Sequence, residues 1–133
     1  MFDVVTFGSA TMDIFVESDT AHVVNIRGVE GEIDLSKVHF DVNLFEEFTK
    51  GYLESFGDSI TEIEKDNLAF SAILMTYECG MRFLTDYLGG DSYFRTSRDR
   101  QNLDRARTQF KLISEMEANY SKMCKIVDKY YNK

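Results

Sequence analysis

The sequence predicts an α+β fold: short N-terminal β-strands followed by a mainly α-helical bundle of about three helices. Three observations lead there. The first sixteen residues are rich in β-branched and aromatic side chains broken by a glycine. From Asp41 onward, apolar residues recur at helical spacing. That second part is also punctuated by two helix-start signatures and a glycine pair. At 133 residues and 44% apolar content the chain is one domain's worth, with enough apolar side chain for a modest core. Its net charge of −8 argues against nucleic acid and anionic membrane surfaces as partners, because their phosphates would be repelled.

Val4, Val5, Thr6 and Phe7 form the first predicted strand, stopped at Gly8. Ile14, Phe15 and Val16 suggest a second strand and His22 to Ile26 a third, together a small β-meander. Residues Gly28 to Asp34 read G-V-E-G-E-I-D, where two glycines and three acids interrupt the apolar pattern. This marks a boundary between a strand-like segment, 1–33, and a helical segment, 34–133.

Asp41 is placed to cap a helix over Val42–Ser55, its carboxylate accepting first-turn amide hydrogens. Leu44, Phe45, Phe48, Tyr52 and Phe56 recur along that helix. His39-Phe40-Asp41 has the His-x-Asp spacing of a phosphotransferase catalytic loop. Such a loop needs an asparagine five residues after its aspartate to hold a metal, and Glu46 stands there, so a structural role is expected.

Thr61 and Glu64 form a capping box that starts a long helix running to about Leu88. Phe70, Ile73, Leu74, Tyr77, Met81 and Leu84, with Cys79, Phe83, Tyr87 and Leu88, make this helix apolar nearly all round. That pattern predicts burial at the centre of the domain, with Met75 and Met81 as gap-filling core. Gly89-Gly90 ends it, since glycine takes the left-handed cap without steric cost.

Glu78, Arg82 and Asp86 fall at i, i+4 and i+8 on one face. They form either an exposed ladder of ion pairs, each stabilising by about 0.2–0.5 kcal/mol, or a sugar or phosphate pocket completed by Asp91 and Tyr93. Arg95, Arg98, Arg100, Arg105 and Arg107 stand against Asp99 and Asp104. A solvated turn is expected there, with Asp104 suited to the positive end of the next helix; phosphate contact stays open. The last helix, about Asn102 to Tyr131, carries Leu103, Ala106, Phe110, Ile113, Tyr120, Cys124, Val127 and Tyr131 near a 3.5-residue period, interrupted by Glu117. It is expected to pack along the core, and a helix-mediated homo-oligomer stays open.

Cys79 and Cys124 both fall on predicted helices and read as reduced core residues. With His22 and His39 the only histidines and no cysteine pair at ligand spacing, no metal site is expected. The chain shows neither a signal-peptide start nor an apolar run long enough to span a bilayer, so a cytoplasmic location is expected.

The stretch Y-E-C-G-M-R-F-L-T-D-Y-L-G-G-D-S-Y-F-R, continued by N-L-D-R-A-R-T-Q-F-K-L, closely resembles the C-terminal end of the N-acetylhexosamine 1-kinases. These belong to the aminoglycoside-phosphotransferase-like superfamily. The upstream segment D-L-S-K-V-H-F-D-V-N-L-F-E-E-F-T-K-G-Y-L-E is similar to the same family in the right order, so the resemblance covers about Asp34 to Met123. It implies a partial kinase C-lobe from an enzyme that phosphorylates the anomeric hydroxyl of an N-acetylated amino sugar with ATP and magnesium. By this resemblance Arg82 and Tyr93 match positions that hydrogen-bond the sugar.

The opening D-V-V-T-F-G-S-A-T-M-D-I-F-V resembles instead the N-terminus of ribokinase-like sugar kinases, and Asp13 matches an aspartate that contacts a sugar hydroxyl there. The later glycine-rich and glycine-aspartate motifs of that family are missing. No glycine-rich nucleotide loop, strand lysine or metal-binding asparagine stands in context, so no catalytic, cofactor or metal-binding residue is assigned. The expectation is a partial sugar kinase, inactive alone, with ATP and magnesium implied only for the full-length family. The alternative is a non-catalytic helical module that binds a partner protein or an amino sugar.

Overall fold

A computed structural model describes residues 2–6 and 13–17 as backbone and residues 33–131 in full. Asp34 starts a single 3-10 turn, Leu35–Lys37, its Oδ1 accepting from the Ser36 amide at 3.0 Å. Asp41 caps helix α1, Val42–Phe56, its Oδ1 accepting from the amides of Asn43 at 2.8 Å and Leu44 at 3.3 Å. The capping box closes at the start of α2, Glu62–Leu88. The Thr61 amide donates to Glu64 Oε2 at 2.7 Å, and the Glu64 amide donates to Thr61 Oγ1 at 3.3 Å. Helix α3 spans Gln101–Tyr130. All three helices start and stop within a residue of the expected bounds; side-chain caps set the starts of α1 and α2, whereas Arg100 before α3 makes no side-chain cap and lies at φ 58°.

The α+β expectation is corrected: the fold is all-α. From Ile33 to Tyr131 there is no strand. Two five-residue strands, β1 (Phe2–Thr6) and β2 (Asp13–Glu17), pair antiparallel with each other, from Phe2 opposite Glu17 to Thr6 opposite Asp13. They pack on none of the helices described. A two-stranded ribbon that pairs only with itself supplies no layer to the described fold, whose layers are helix on helix. The third predicted strand, His22 to Ile26, and the boundary at Gly28 lie outside the described residues.

A second correction concerns the centre. The all-round apolar pattern of α2 predicts burial, yet the core helix is α3, which packs along α2 and against α1. Helix α2 buries Ala69, Ala72, Gly80 and Asp86. Its large residues Ile63, Phe70, Leu74, Tyr77, Met81 and Leu88 are exposed. Small side chains let two helix axes approach closely, and at Gly80 a Cβ would stand 3.0 Å from Phe110 Cε1 and 3.1 Å from Gln109 Cβ. The small-residue face therefore fills the contact with α3, and the bulky face turns outward.

Helix α3, contacted from two sides, buries Ala106, Leu112, Ile113, Met116, Met123, Ile126 and Val127. Glu117 is exposed and interrupts nothing. The core joins these to Val38, Phe45, Leu53, Ile60, Ala69 and Ala72. Polar contacts fasten the first segment to α3. Glu115 Oε2 accepts from the Phe40 amide at 2.7 Å, while its Oε1 meets His39 Nδ1 at 3.3 Å and Lys111 Nζ at 2.7 Å. Glu46 Oε1 accepts from Lys129 Nζ at 2.6 Å and from the Tyr130 hydroxyl at 2.9 Å. Among the described residues no helix is long and apolar enough to cross a membrane.

Candidate functional site

Gly89-Gly90 stops α2 as expected, with Gly90 at φ 92° and Asp91 following it into the left-handed region at φ 56°. A non-glycine residue in that region needs holding. The Asp91 amide donates to the Asp86 carbonyl at 2.8 Å, and Asp91 Oδ1 accepts from Asn102 Nδ2 at 2.9 Å. The chain between α2 and α3 is then wrapped around one carboxylate. Asp86 Oδ1 accepts from the amides of Ser92 at 3.0 Å and Tyr93 at 2.8 Å. Its Oδ2 accepts from the Phe94 amide at 2.9 Å and from Asn102 Nδ2 at 2.8 Å. The Phe94 amide, then those of Tyr93 and Ser92, hold the Asp86 carboxyl below the usual aspartate range, against the opposing effect of burial.

Asp86 is thus no rung of a surface ladder. Glu78 and Arg82 do form an exposed i,i+4 pair, at 3.6 Å, but Asp86 points inward and is buried. Further along the turn, Gln101 Oε1 accepts from the Ser97 amide at 2.8 Å. Arg98 Nη1 meets Asp104 Oδ2 at 2.6 Å, with Asp104 in the first turn of α3. Arg98 and Arg105 therefore serve the turn: Arg105 Nη1 donates to Asn102 Oδ1 at 3.0 Å and to the Arg95 carbonyl at 3.2 Å.

Upon this base stands a cation–aromatic stack. The Phe83 and Phe94 rings lie 4.7 Å apart, and Tyr93 meets Phe94 edge-on at 4.8 Å. The Arg82 guanidinium sits 5.4 Å from the centre of the Phe94 ring and 5.7 Å from that of Tyr93; Arg105 lies over Phe83 at 5.6 Å. Arg82 Nη2 reaches the Tyr93 hydroxyl at a long 3.4 Å. Both side chains are open to solvent. The two residues singled out as sugar contacts are therefore neighbours on one surface. A guanidinium with spare donors beside a phenol and an aromatic face can receive hydroxyl, carbonyl or anionic oxygens of a small polar ligand.

Asp13 opens β2, and its side chain lies outside the described residues. The residues of the His-x-Asp stretch and its downstream position are engaged structurally. The Asp41 carboxylate is used as the cap of α1, His39 turns to Glu115, and Glu46 is tied to Lys129 and Tyr130. Lys129 and the Tyr130 hydroxyl hold the Glu46 carboxyl below its ordinary value. Among the described residues, no three His, Cys, Asp or Glu side chains gather where a metal ion could be held.

Asn102, fully buried, is the residue that sequence reasoning missed. Its one visible signal is a polar side chain at the start of a helix, and its partners stand sixteen and eleven residues upstream. Cys79 is half-buried, and burial together with Glu78 pushes its thiol above the ordinary value, which keeps it protonated and unreactive at neutral pH. No family model matches the chain.

Proposed function

We propose that this chain is the substrate-side portion of a carbohydrate kinase of the N-acetylhexosamine 1-kinase kind, which binds an amino sugar and does not phosphorylate it alone. The observation that carries this reading is the adjacency of Arg82 and Tyr93 on a turn fixed by Asp86 and Asn102. The sequence resemblance gives both residues to the sugar, and their joint exposure leaves them free to meet one. A turn already held by its own hydrogen bonds loses little freedom on binding, which favours even a weak ligand. Since Asp41 and Glu46 are occupied structurally, ATP and magnesium belong in this reading to a lobe outside the described residues, and the setting is the cytoplasm.

The test is a calorimetric titration of the chain with N-acetylglucosamine and N-acetylgalactosamine, beside a coupled assay with ATP and magnesium. Binding without turnover is expected. Arg82→Ala should weaken binding about tenfold, the loss of one charge-assisted hydrogen bond of about 1.5 kcal/mol, and Tyr93→Phe a few-fold. Unchanged affinity in both variants refutes the pocket, and turnover by the purified chain refutes its inactivity in isolation.

A second reading, a non-catalytic helical module that binds another chain, is favoured by one observation. The bulky apolar face of α2 is left largely open among the described residues, although Tyr77 touches Phe110 of α3.

A further inference from the structure

The outward-facing residues of α2 are not scattered. Ile63, Asn67, Phe70, Leu74, Tyr77, Met81, half-buried Leu84 and Leu88 alternate in steps of four and three along the whole helix, the a/d spacing of a coiled-coil seam. Ile63 is 75% exposed, Leu74 50% and Leu88 76%. Soluble chains seldom leave a continuous apolar stripe of this length facing water. Within it, Asn67 Nδ2 donates to the Ile63 carbonyl of its own helix at 2.8 Å.

We propose that α2 is the interface of an antiparallel homodimer, two copies of this chain packing seam to seam. The spacing reads the same in both directions, as a two-fold interface requires. Laid antiparallel, Ile63 meets Leu88 of the second copy, Asn67 meets Leu84, Phe70 meets Met81, and Leu74 meets Tyr77. Every layer then recurs symmetrically on the other side.

Charge bears on the direction. Glu62 and Glu64 stand in the first turn of α2. A parallel pair would stack these two acidic ends together; the antiparallel pair separates them by the length of the helix. It also places Glu64 near Thr85 and Glu78 near Ser71 of the second copy, so no carboxylates oppose. The exposed apolar side chains offer on the order of 700 Å² per chain, close to the roughly 800 Å² per partner of a stable interface. The small-residue face that packs on α3 remains undisturbed.

Sedimentation equilibrium of the full chain at micromolar concentration should give twice the 15.4 kDa of one copy. A double variant, Leu74→Glu with Met81→Glu, changes two exposed positions and should sediment as a monomer with unchanged helical circular dichroism. A monomeric parent, or a variant that stays dimeric, overturns the proposal. Direction is read by cross-linking after Cys79→Ser and Cys124→Ser. A chain carrying Phe70→Cys mixed with one carrying Met81→Cys should form a mixed disulfide, and neither should link to itself. Self-linking of the Phe70→Cys chain, or no mixed disulfide, overturns the antiparallel pairing. Sugar affinity does not enter, so this outcome and that of the sugar titration are separable.

Discussion

Replacing Asn102 by alanine isolates the group that ties the turn to α3. Its Nδ2 donates to two carboxylates, Asp86 at 2.8 Å and Asp91 at 2.9 Å, and its Oδ1 accepts from Arg105 at 3.0 Å. Hydrogen bonds to charged groups each contribute about 1.5–3 kcal/mol, and the three do not add, because Asp86 keeps its backbone amides. A loss of about 3 kcal/mol is expected, which for a domain of this size lowers Tm by about 12 °C or more. Urea denaturation followed at 222 nm measures the first quantity, and amide exchange at Ser92, Tyr93 and Phe94 reports whether the turn has loosened. Asn102→Asp provides the control. It brings a third carboxylate to Asp86 and Asp91, so it should be less stable than the alanine variant at pH 7, with the gap narrowing as the solution is acidified. A change below about 1 kcal/mol, with exchange at those amides unaltered, would refute the claim that Asn102 holds the turn.

Met123→Ala empties a fully buried position on α3 and should cost about 2–5 kcal/mol by urea denaturation; a near-neutral result would mean α3 is not the core helix. Stability should also fall in acid. The amides of Phe94, Tyr93 and Ser92 hold Asp86 down, and Lys111 together with the Phe40 amide holds Glu115 down. Both contributions are complete above the unfolded carboxyl values of about 4 and are lost as pH drops through the lower folded values. Thermal melts should therefore be level from neutral pH to about 5 and decline below about 4. Asp86→Asn should flatten part of that decline, and an unchanged acid slope would count against the carboxylate hub.

Helix bounds were legible because Asp41, Thr61 and Glu64 act on amides within three residues of themselves. The nearness of Arg82 to Tyr93 was legible for a related reason: Gly89-Gly90 turns the chain back on itself just after α2. What failed was volume and distance. Apolar pattern alone weighs Phe70 and Leu74 above Ala69 and Ala72, whereas close helix packing prefers the small side chains, so α2 looked central when α3 is. The inward turn of Asp86 depends on amides and an asparagine that arrive six to sixteen residues later, which no spacing rule within a helix foresees. The β-branched start does pair as two strands, but the pairing of two short segments carries no information on whether helices will cover them.

The Asp86-centred turn also bears on the order in which the molecule assembles. Helices α2 and α3 are joined by a short connection held by Asp86 and Asn102, and they are neighbours along the chain, so their loop-closure entropy is small. Helix α1 must instead find α3 across more than seventy residues, fastened at its surface by Glu46 with Lys129 and Tyr130 and, just before its start, by Glu115 with Phe40. The α2–α3 hairpin is therefore expected to form first and open last, and α1 to detach first; native-state amide exchange should then show α1 amides exchanging at a lower free energy than those of α2 and α3.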